Sequence, residues 1–179
     1  MILVIGGPPG SGKTTVAERW AAAHRSVLVS AGMRFRAMAK ERGMSLEEFG
    51  KAAEKDPSID KALDRAILEE IRAQEAAGND IVVDGRIQAY LLTREGIPCF
   101  KVLVDAALDV RAERIAVREK TSVEAAKREI IARERSEQQR YKKIYDIDLR
   151  DTGIFDMVVD TGRKTADAVV AQIEAQVRG

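Results

Sequence analysis

The sequence predicts an α/β protein in which helices cover both faces of a doubly wound parallel sheet. Short, almost wholly apolar runs alternate along the chain with longer segments of helical composition. Apolar runs without polar alternation are typical of strands buried on both faces, and their alternation with helices is typical of parallel sheets. The length of 179 residues fits a single domain over residues 1–179.

Five short apolar runs are the predicted strands. Each is followed by glycine, proline or polar residues, which end a buried strand. The runs are Met1–Ile5, Ser26–Ser30, Ile81–Asp84, Phe100–Val104 and Met157–Asp160.

The segments between these runs have helical composition and carry helix-start signals. Ser45 with Glu48 has the spacing of a capping box, Asp56 precedes a proline, and Thr121 with Glu124 predicts a helix restart. The predicted helices are Gly12–Ala23, Gly32–Arg42, Leu46–Lys55, Pro57–Ala77, Thr165–Val177 and, with the restart, the charged region Ala106–Tyr145.

Two long segments without a strand, about 31–79 and 112–150, are predicted inserts on this single core. Ligands of open α/β sheets bind beyond the carboxyl ends of the strands. We therefore expect the two inserts to hold the substrate.

Composition excludes several classes of function. The chain has 30 basic and 29 acidic residues and a net charge of +1, so no global field draws it to nucleic acid or lipid. The single cysteine, Cys99, excludes an internal disulfide, and the single histidine, His24, excludes a multi-histidine metal centre. The apolar runs are too short to span a bilayer, and the N-terminus lacks a charged leader. We expect a cytoplasmic protein without membrane or nucleic-acid partners.

A glycine-rich phosphate loop follows the first predicted strand and opens the first predicted helix. Residues 7–14 match the pattern G-x-x-x-x-G-K-[ST] in the strand–loop–helix context that this motif requires. Its backbone N–H groups and the helix N-terminus attract phosphate oxygens. Lys13 would bridge the β- and γ-phosphates, and the Thr14 hydroxyl would hold Mg²⁺. The predicted ATP-binding residues are Gly7, Pro8, Pro9, Gly10, Ser11, Gly12, Lys13, Thr14 and Thr15.

The third predicted strand ends in Asp84-Gly85-Arg86. A carboxylate at Asp84 can order Mg²⁺ through its water shell, so Thr14 and Asp84 are the predicted metal residues. Arg86 indicates an anionic acceptor and not a water nucleophile. The sequence also lacks the Asn-Lys-x-Asp guanine reader of GTPase switches and the Asp-Glu strand ending typical of motor ATPases.

Arginines recur at helical spacing in the second insert. Arg111, Arg114 and Arg118 share one helix face, and Arg133 and Arg140 share another, with Glu137 between them. Phosphoryl transfer depends on positioning and charge neutralisation, which planar guanidinium groups provide. A lid of arginines would close over the phosphates and exclude water. A solvated helix with Glu–Arg pairs is the alternative interpretation.

The first insert also carries candidate substrate residues. Arg36 is a candidate clamp for the acceptor's phosphate. Asp60, Asp64 and Arg65 lie within about one turn of a predicted helix, where an acid could accept from the exocyclic amine of a base. A solvated helix face explains the same three residues equally well.

Motifs along nearly the whole chain resemble those of the archaeal-type cytidylate kinases. The phosphate loop alone is shared with many unrelated kinases, whereas the second set of motifs, Ser30-Ala-Gly with Phe35-Arg36, and the last set, from Arg133 onward, are specific to this group. The motifs beyond the loop are Ser30-Ala-Gly with Phe35-Arg36, Lys40–Phe49, Asp56-Pro with Ile59-Asp-Lys61, Val83–Arg86, Val110–Ile115, Arg133-Glu134 with Arg140-Tyr141 and Tyr145–Asp148, and Val159-Asp-Thr161.

The resemblance implies a P-loop nucleoside-monophosphate kinase fold with a five-stranded core, a helical monophosphate-binding insert and a helical arginine lid. It implies transfer of phosphate from ATP to CMP or dCMP with Mg²⁺, by an enzyme that works as a monomer. Arg36 and Arg86 would hold the acceptor phosphate. Arg114, Arg118, Arg133 and Arg140 would serve the lid and the transfer site. Lys13, Asp84, Arg86, Arg118 and Arg133 are the predicted catalytic residues; Ser30, Arg36, Asp60, Asp64, Arg86, Arg114 and Arg140 are the predicted substrate-binding residues.

Two positions depart from the family's pattern beside the acceptor site. After Ser-Ala-Gly the family usually has an acid and an isoleucine, whereas this chain has Met33 and Arg34. Another nucleotide or a small metabolite is therefore the alternative acceptor, and a nucleotide-binding protein without transfer activity is the third interpretation. A milder departure replaces the frequent Glu-Gly-Arg by Asp84-Gly85-Arg86, which keeps a carboxylate.

Overall fold

The computed structural model describes residues 1–177 and contains a five-stranded sheet. The strands are β1 (Ile2–Gly6), β2 (Val27–Ser30), β3 (Ile81–Asp84), β4 (Phe100–Asp105) and β5 (Met157–Asp160). Their order is β2-β3-β1-β4-β5, and every neighbouring pair is parallel. The predicted parallel sheet is confirmed, with strand ends within about one residue of expectation. Residues 178–179 of the predicted domain lie outside the described residues.

Eight helices accompany the sheet within the described residues. The Ser45–Glu48 capping box is present, and the Asp56 side chain accepts from the backbone N–H of Ser58, as the sequence predicts. The helices are α1 (Lys13–His24), α2 (Ala31–Glu41), α3 (Leu46–Lys55), α4 (Pro57–Ala76), α5 (Gln88–Arg94), α6 (Leu108–Glu119), α7 (Val123–Tyr145) and α8 (Ala166–Val177). Helix α5 has no counterpart among the predicted helices.

Alternating residues of β1 enter two separate cores, one on each face of the sheet. Leu3 and Ile5 pack with Trp20 of α1 and with α8. Ile2 and Val4 pack on the opposite face, against α4 and α5. Because side chains alternate across a strand, a run that is apolar at every position is required between two helical layers. The doubly wound arrangement is confirmed.

Helices α6 and α7 form a hairpin, and the predicted cap between them is one residue off. The side chain of Ser122, not Thr121, accepts the backbone N–H of Ala125 at 3.1 Å and begins α7. Thr121 belongs to the end of the preceding helix, since its backbone N–H donates to Ala116 after Lys120 adopts a φ of 53°. A left-handed residue followed by such a bond is typical of a helix C-terminus, which leaves the next hydroxyl free to cap α7.

The topology places a crevice at the carboxyl ends of β1 and β3. The connection after β1 leads to β2 on one side of the sheet, and the connection after β3 leads to β4 on the other. Such a reversal separates the flanking loops and opens a ligand crevice. Among residues 1–177, no helix has both the length and the apolar character needed to cross a bilayer.

Candidate active site

Three positions of the phosphate loop favour glycine, Gly7 and Gly10 because of close contacts and Gly10 and Gly12 because of their backbone conformation. Gly10 and Gly12 have φ angles of 80° and 90°, which L-residues rarely adopt. A Cβ at Gly7 would lie 2.2 Å from the carbonyl oxygen of Val104, and one at Gly10 would lie 2.7 Å from that of Arg111. The backbone can therefore curl between β1 and α1 only with glycine at these positions.

Two arginines of α6 hold the phosphate loop from outside. Arg111 donates to the Pro9 carbonyl at 3.1 Å, and Arg114 donates to the Gly10 carbonyl at 3.3 Å. The hydroxyl of Thr161, after β5, donates to a third loop carbonyl at 2.7 Å. These bonds leave the loop's N–H groups for a ligand and fix the loop's outer side. Sequence reasoning assigned no role to Arg111 or Thr161; the shared helix face and the Val-Asp-Thr motif were their only signals.

Asp84 lies at the carboxyl end of β3, where hydroxyl groups from two other elements meet it. Its Oδ2 accepts from Thr14 Oγ1 at 2.9 Å and from Ser30 Oγ at 2.8 Å, while its buried Oδ1 has no hydrogen-bond partner among the described residues. Mg²⁺ prefers hard oxygen ligands and keeps several waters. A carboxylate with a spare oxygen beside a threonine hydroxyl fits that ion.

Lys13 begins α1 and lies among charges of both signs. Burial lowers its pKa to about 8, Asp84 and Glu137 oppose this shift, and Arg133 and Arg86 add to it. Burial and the neighbouring arginines both disfavour the protonated lysine, and the charges of Asp84 and Glu137 offset them only in part. The site therefore favours a ligand with several negative charges.

Glu137 of α7 joins two of these cations. Arg86 Nε donates to Glu137 Oε2 at 2.8 Å, and Arg133 Nε donates to Oε1 at 2.9 Å. Burial opposes the carboxylate's charge, but Arg133, Arg86 and Lys13 outweigh it and lower the pKa of Glu137 to about 2. Sequence reasoning noticed Glu137 on the arginine face but gave it no role.

Lys13, Arg86 and Arg133 form a positive cluster, and two further predicted arginines lie at its edge. Arg36 has an exposed side chain on α2, and partial loss of hydration with the charges of Arg133 and Arg118 lowers its pKa. Arg118 lies at the end of α6, half exposed, and pairs with Glu119 at 2.8 Å. The cluster thus draws on α2, the end of β3, α6 and α7.

The predicted base-reading acids are buried beside this cluster. Asp60 is fully covered, Arg140 of α7 donates to its Oδ2 at 2.8 Å, and its Oδ1 has no partner among the described residues. Arg140 also donates to Ser136 at 2.8 Å. Arg65, in contrast, is exposed on the far side of α4. The structure thus pairs Asp60 with Arg140 and leaves Arg65 outside.

Asp64 lies one turn after Asp60 and has neutral partners. Tyr145 donates to Asp64 at 2.8 Å, and Gln88 donates from the other side at 3.3 Å. Burial raises the pKa of Asp64 to about 7, the Tyr145 hydrogen bond opposes the shift, and the charge of Asp60 adds to it. Gln88 was missed by sequence analysis together with α5, which carries it.

Two predicted substrate-binding residues use their polar groups on other parts of the protein. Arg114 uses its guanidinium on the phosphate loop and on Thr161. The hydroxyl of Ser30 donates to Asp84 and accepts from the backbone of Met33. Both side chains therefore hold other parts of the protein in place. Thr15, at the start of α1, is exposed.

Comparison with known sequences supports one family over nearly the whole chain. The sequence model of the cytidylate kinase-like family matches residues 2–163. A cytidylate kinase from Methanopyrus kandleri is 42% identical over 99% of this chain and 93% of its own length. A cytidylate kinase from Methanocaldococcus jannaschii is 44% identical over 94% of this chain and 93% of its own length.

Solved structures share the fold at low sequence identity. A structure of an uncharacterized protein from Eubacterium ventriosum has a TM-score of 0.74 and 17% identity, and covers 100% of this chain and 99% of its own. A shikimate kinase from Aquifex aeolicus has a TM-score of 0.62 and 21% identity, over 100% of this chain and 97% of its own. These likenesses confirm the predicted P-loop kinase fold.

Proposed function

This chain belongs to the cytidylate kinase-like family, and we propose that it transfers the γ-phosphoryl group of ATP to CMP or dCMP, forming ADP and CDP or dCDP. The observation that carries the proposal is the convergence of Lys13, Arg86 and Arg133 around the crevice that the phosphate loop opens. Clustered cations at a phosphate loop suit a reaction between two phosphorylated substrates.

The donor half of the site is the phosphate loop, residues 7–15. Its N–H groups and the N-terminus of α1 would bind the ATP phosphates, with Lys13 on the β- and γ-phosphates. A cavity of about 280 Å³, lined by Val110, Asp160, Gly162, Arg163 and Lys164, has the place and size for the adenine. It adjoins the loop because Val110 and Gly162 are next in sequence to Arg111 and Thr161, which contact the loop.

Thr14 and Asp84 are the proposed holders of Mg²⁺, Thr14 through its hydroxyl and Asp84 through water. When bound, the ion would neutralise charge that develops on the β- and γ-phosphate oxygens. The part of the chain that the structure describes contains no group of three or more acidic, histidine or cysteine ligands for a metal. Two protein oxygens completed by phosphates and waters are the usual donors for Mg²⁺ at nucleotides.

The acceptor half of the site lies between α2, α4, α5 and α7. We propose that Arg36 and Arg86 bind the acceptor phosphate, because both reach the cluster from the acceptor insert and from β3. The Asp60–Arg140 pair would read the cytosine edge, with the carboxylate accepting from the exocyclic amine and the guanidinium donating to the carbonyl oxygen or to the ring nitrogen. Asp64 would support this pair from one turn away.

The transfer step needs alignment and charge neutralisation. An oxygen of the acceptor phosphate attacks the γ-phosphorus of ATP in line, and the bond from that phosphorus to the β,γ-bridging oxygen breaks, releasing ADP. No general base is required, because the attacking oxygen already carries negative charge. Arg133 and Arg118 would neutralise the transferring group, and the α6–α7 hairpin would act as the lid that excludes water.

ADP release with a panel of acceptors tests the proposal. Mg·ATP is combined separately with CMP, dCMP, UMP, AMP and GMP at equal concentration, with a no-acceptor control. We expect CMP and dCMP to lead by more than about tenfold, or roughly 1.4 kcal/mol of transition-state preference. A chain that binds ATP but releases no more ADP with any monophosphate than without one would refute the acceptor and redirect the search to small metabolites.

Neither of the two residues that depart from the family's pattern has a hydrogen bond or ion pair to Arg36, Arg86 or Arg133 among the described residues. Arg34 pairs with Glu70 of α4 at 3.4 Å, and the Met33 side chain is exposed. We therefore propose that the CMP preference persists. We also propose that the chain works as a monomer, as the resemblance to the family implies, and that it acts in the cytoplasm. The net charge of +1 supports a function without lipid or nucleic-acid partners.

A further inference from the structure

We propose that Glu137 is a positioning residue that aims Arg86 and Arg133 at the two phosphates between which the phosphoryl group passes. The inference rests on the proposed function, since it assigns these arginines to phosphate. Glu137 itself touches neither substrate; it acts through the guanidinium groups that it holds.

The hydrogen bonds to Glu137 use only the Nε atoms of Arg86 and Arg133, so the Nη groups of both arginines remain available to phosphate. Each carboxylate oxygen of Glu137 accepts from one Nε, at 2.8 Å from Arg86 and 2.9 Å from Arg133. Within residues 1–177, the Nη groups of these two arginines make no hydrogen bond to protein. A guanidinium fixed through Nε still offers its paired Nη donors to phosphate oxygens.

Glu137 also makes the cation cluster possible before substrates arrive. Its side chain is only 7% exposed, and the charges of both arginines and of Lys13 keep it ionised. Without this carboxylate, Arg86 and Arg133 would repel each other and Lys13. A buried charge without its partners is strongly destabilising, so Glu137 and the two arginines are held as a unit.

The contact joins two structural layers at the point of transfer. Arg133 and Glu137 lie one turn apart on α7, whereas Arg86 follows β3, 51 residues earlier in the chain. The position of α7 over the sheet and the direction of Arg86 are therefore set by the same carboxylate. Preorganised charge of this kind acts mainly on the transition state.

Glu137 could instead merely occupy the phosphate site until substrate binds. A carboxylate in that role would compete with CMP, and its removal would tighten CMP binding. Removal of a carboxylate that positions the arginines would weaken CMP binding. The sign of the change therefore separates the two roles.

The test compares the Glu137→Gln variant with wild type and with Glu129→Gln. Glu129 is exposed one turn before Arg133 on the same helix, so its variant makes the same charge change without breaking the contact. We expect E137Q to bind CMP about tenfold more weakly by calorimetric titration and to lose about 100-fold in kcat with CMP. We expect ATP affinity, titrated alone, to stay within about threefold, and E129Q to match wild type throughout.

An Arg86→Lys background distinguishes positioning from general damage. If Glu137 acts through Arg86, adding E137Q to R86K lowers kcat far less than E137Q lowers it in wild type. Glu137→Asp, which keeps the charge, should fold and lose an intermediate amount of kcat even if E137Q is unstable. Equal or tighter CMP binding by E137Q, or full additivity with R86K, would overturn the inference. Failure of wild type to phosphorylate CMP would instead refute the proposed function.

Discussion

At the residue scale, Asp64 combines deep burial with weak compensation. Tyr145 and Gln88 donate neutral hydrogen bonds to it, whereas its neighbour Asp60 receives the charged hydrogen bond of Arg140. Burial thus raises the pKa of Asp64 to about 7, against 3.8 for an ordinary aspartate. Between these two pKa values, the folded chain retains a proton on Asp64 that the unfolded chain has released.

That proton gives the stability a defined pH dependence. Between pH 4 and pH 7 the contribution of Asp64 to stability falls as pH rises, because the unfolded state binds fewer protons at this residue than the folded state does. We expect Asp64→Asn, which cannot titrate, to become more stable relative to wild type by about 2 kcal/mol between pH 5 and pH 8. Urea denaturation at both pH values measures this difference.

Glu69→Gln is the control for the pH effect. Glu69 is exposed on the same helix, so its variant should differ from wild type by the same amount at pH 5 and pH 8. An equal offset at both pH values for Asp64→Asn as well would show that Asp64 is ionised throughout.

At the element scale, the start of α7 determines how the second insert folds back. Ser122 caps the helix, and Thr121 completes the end of α6. The hairpin then buries Ala112, Ile115 and Ile130 between its two helices. Because α7 carries Arg133, Glu137 and Arg140, the register of this turn sets where those side chains point.

Two neighbouring alanine substitutions test that assignment. Ser122→Ala removes the acceptor for the Ala125 N–H, so we expect the free energy of unfolding to fall by about 1 kcal/mol. Thr121→Ala should change it by less than about 0.5 kcal/mol, because Thr121 contributes its backbone N–H. Chemical denaturation of both variants gives the comparison; a larger loss for T121A would restore Thr121 as the cap.

At the scale of the whole molecule, helix α7 connects the two inserts. Arg140 pairs with Asp60 of α4 across 80 residues of sequence, and Tyr145 reaches Asp64 across 81. Both contacts are buried or partly buried, so they fix the hairpin against the acceptor insert. The proposed acceptor pocket exists only where these parts meet.

Removal of Arg140 should therefore affect stability more than removal of an exposed arginine. Arg140→Ala leaves Asp60 buried without its counter-ion, and we expect a loss of about 3–5 kcal/mol in the free energy of unfolding. Arg150 is exposed and pairs with Asp148 at 2.7 Å, so Arg150→Ala should change the free energy of unfolding far less than Arg140→Ala does. Similar losses for the two variants in urea denaturation would show that the Asp60–Arg140 pair does not join the inserts.

Local sequence determined the backbone of this protein and the donor loop. Apolar runs fixed the five strands, and the glycines with Lys13 and Thr14 identified the phosphate loop, because these signals depend on neighbouring residues alone. Helix α5 was not predicted from the sequence, because seven residues are too few to show a helical period. The sequence did not identify Ser122 as the cap, because the adjacent Thr121 is an equally suitable N-cap residue. The position at which α6 ends decides between the two.

Only the tertiary structure decided which charges meet. The sequence placed Arg133 one turn from Glu137 on one helix face, but it did not show that Arg86 pairs with Glu137 or that Arg140 pairs with Asp60. It likewise grouped Arg114 with the lid, whereas the folded chain turns it to the phosphate loop. Ion pairs between distant segments depend on how whole elements pack. A charged side chain fits a solvated surface or a buried site equally well until that packing removes the water around it.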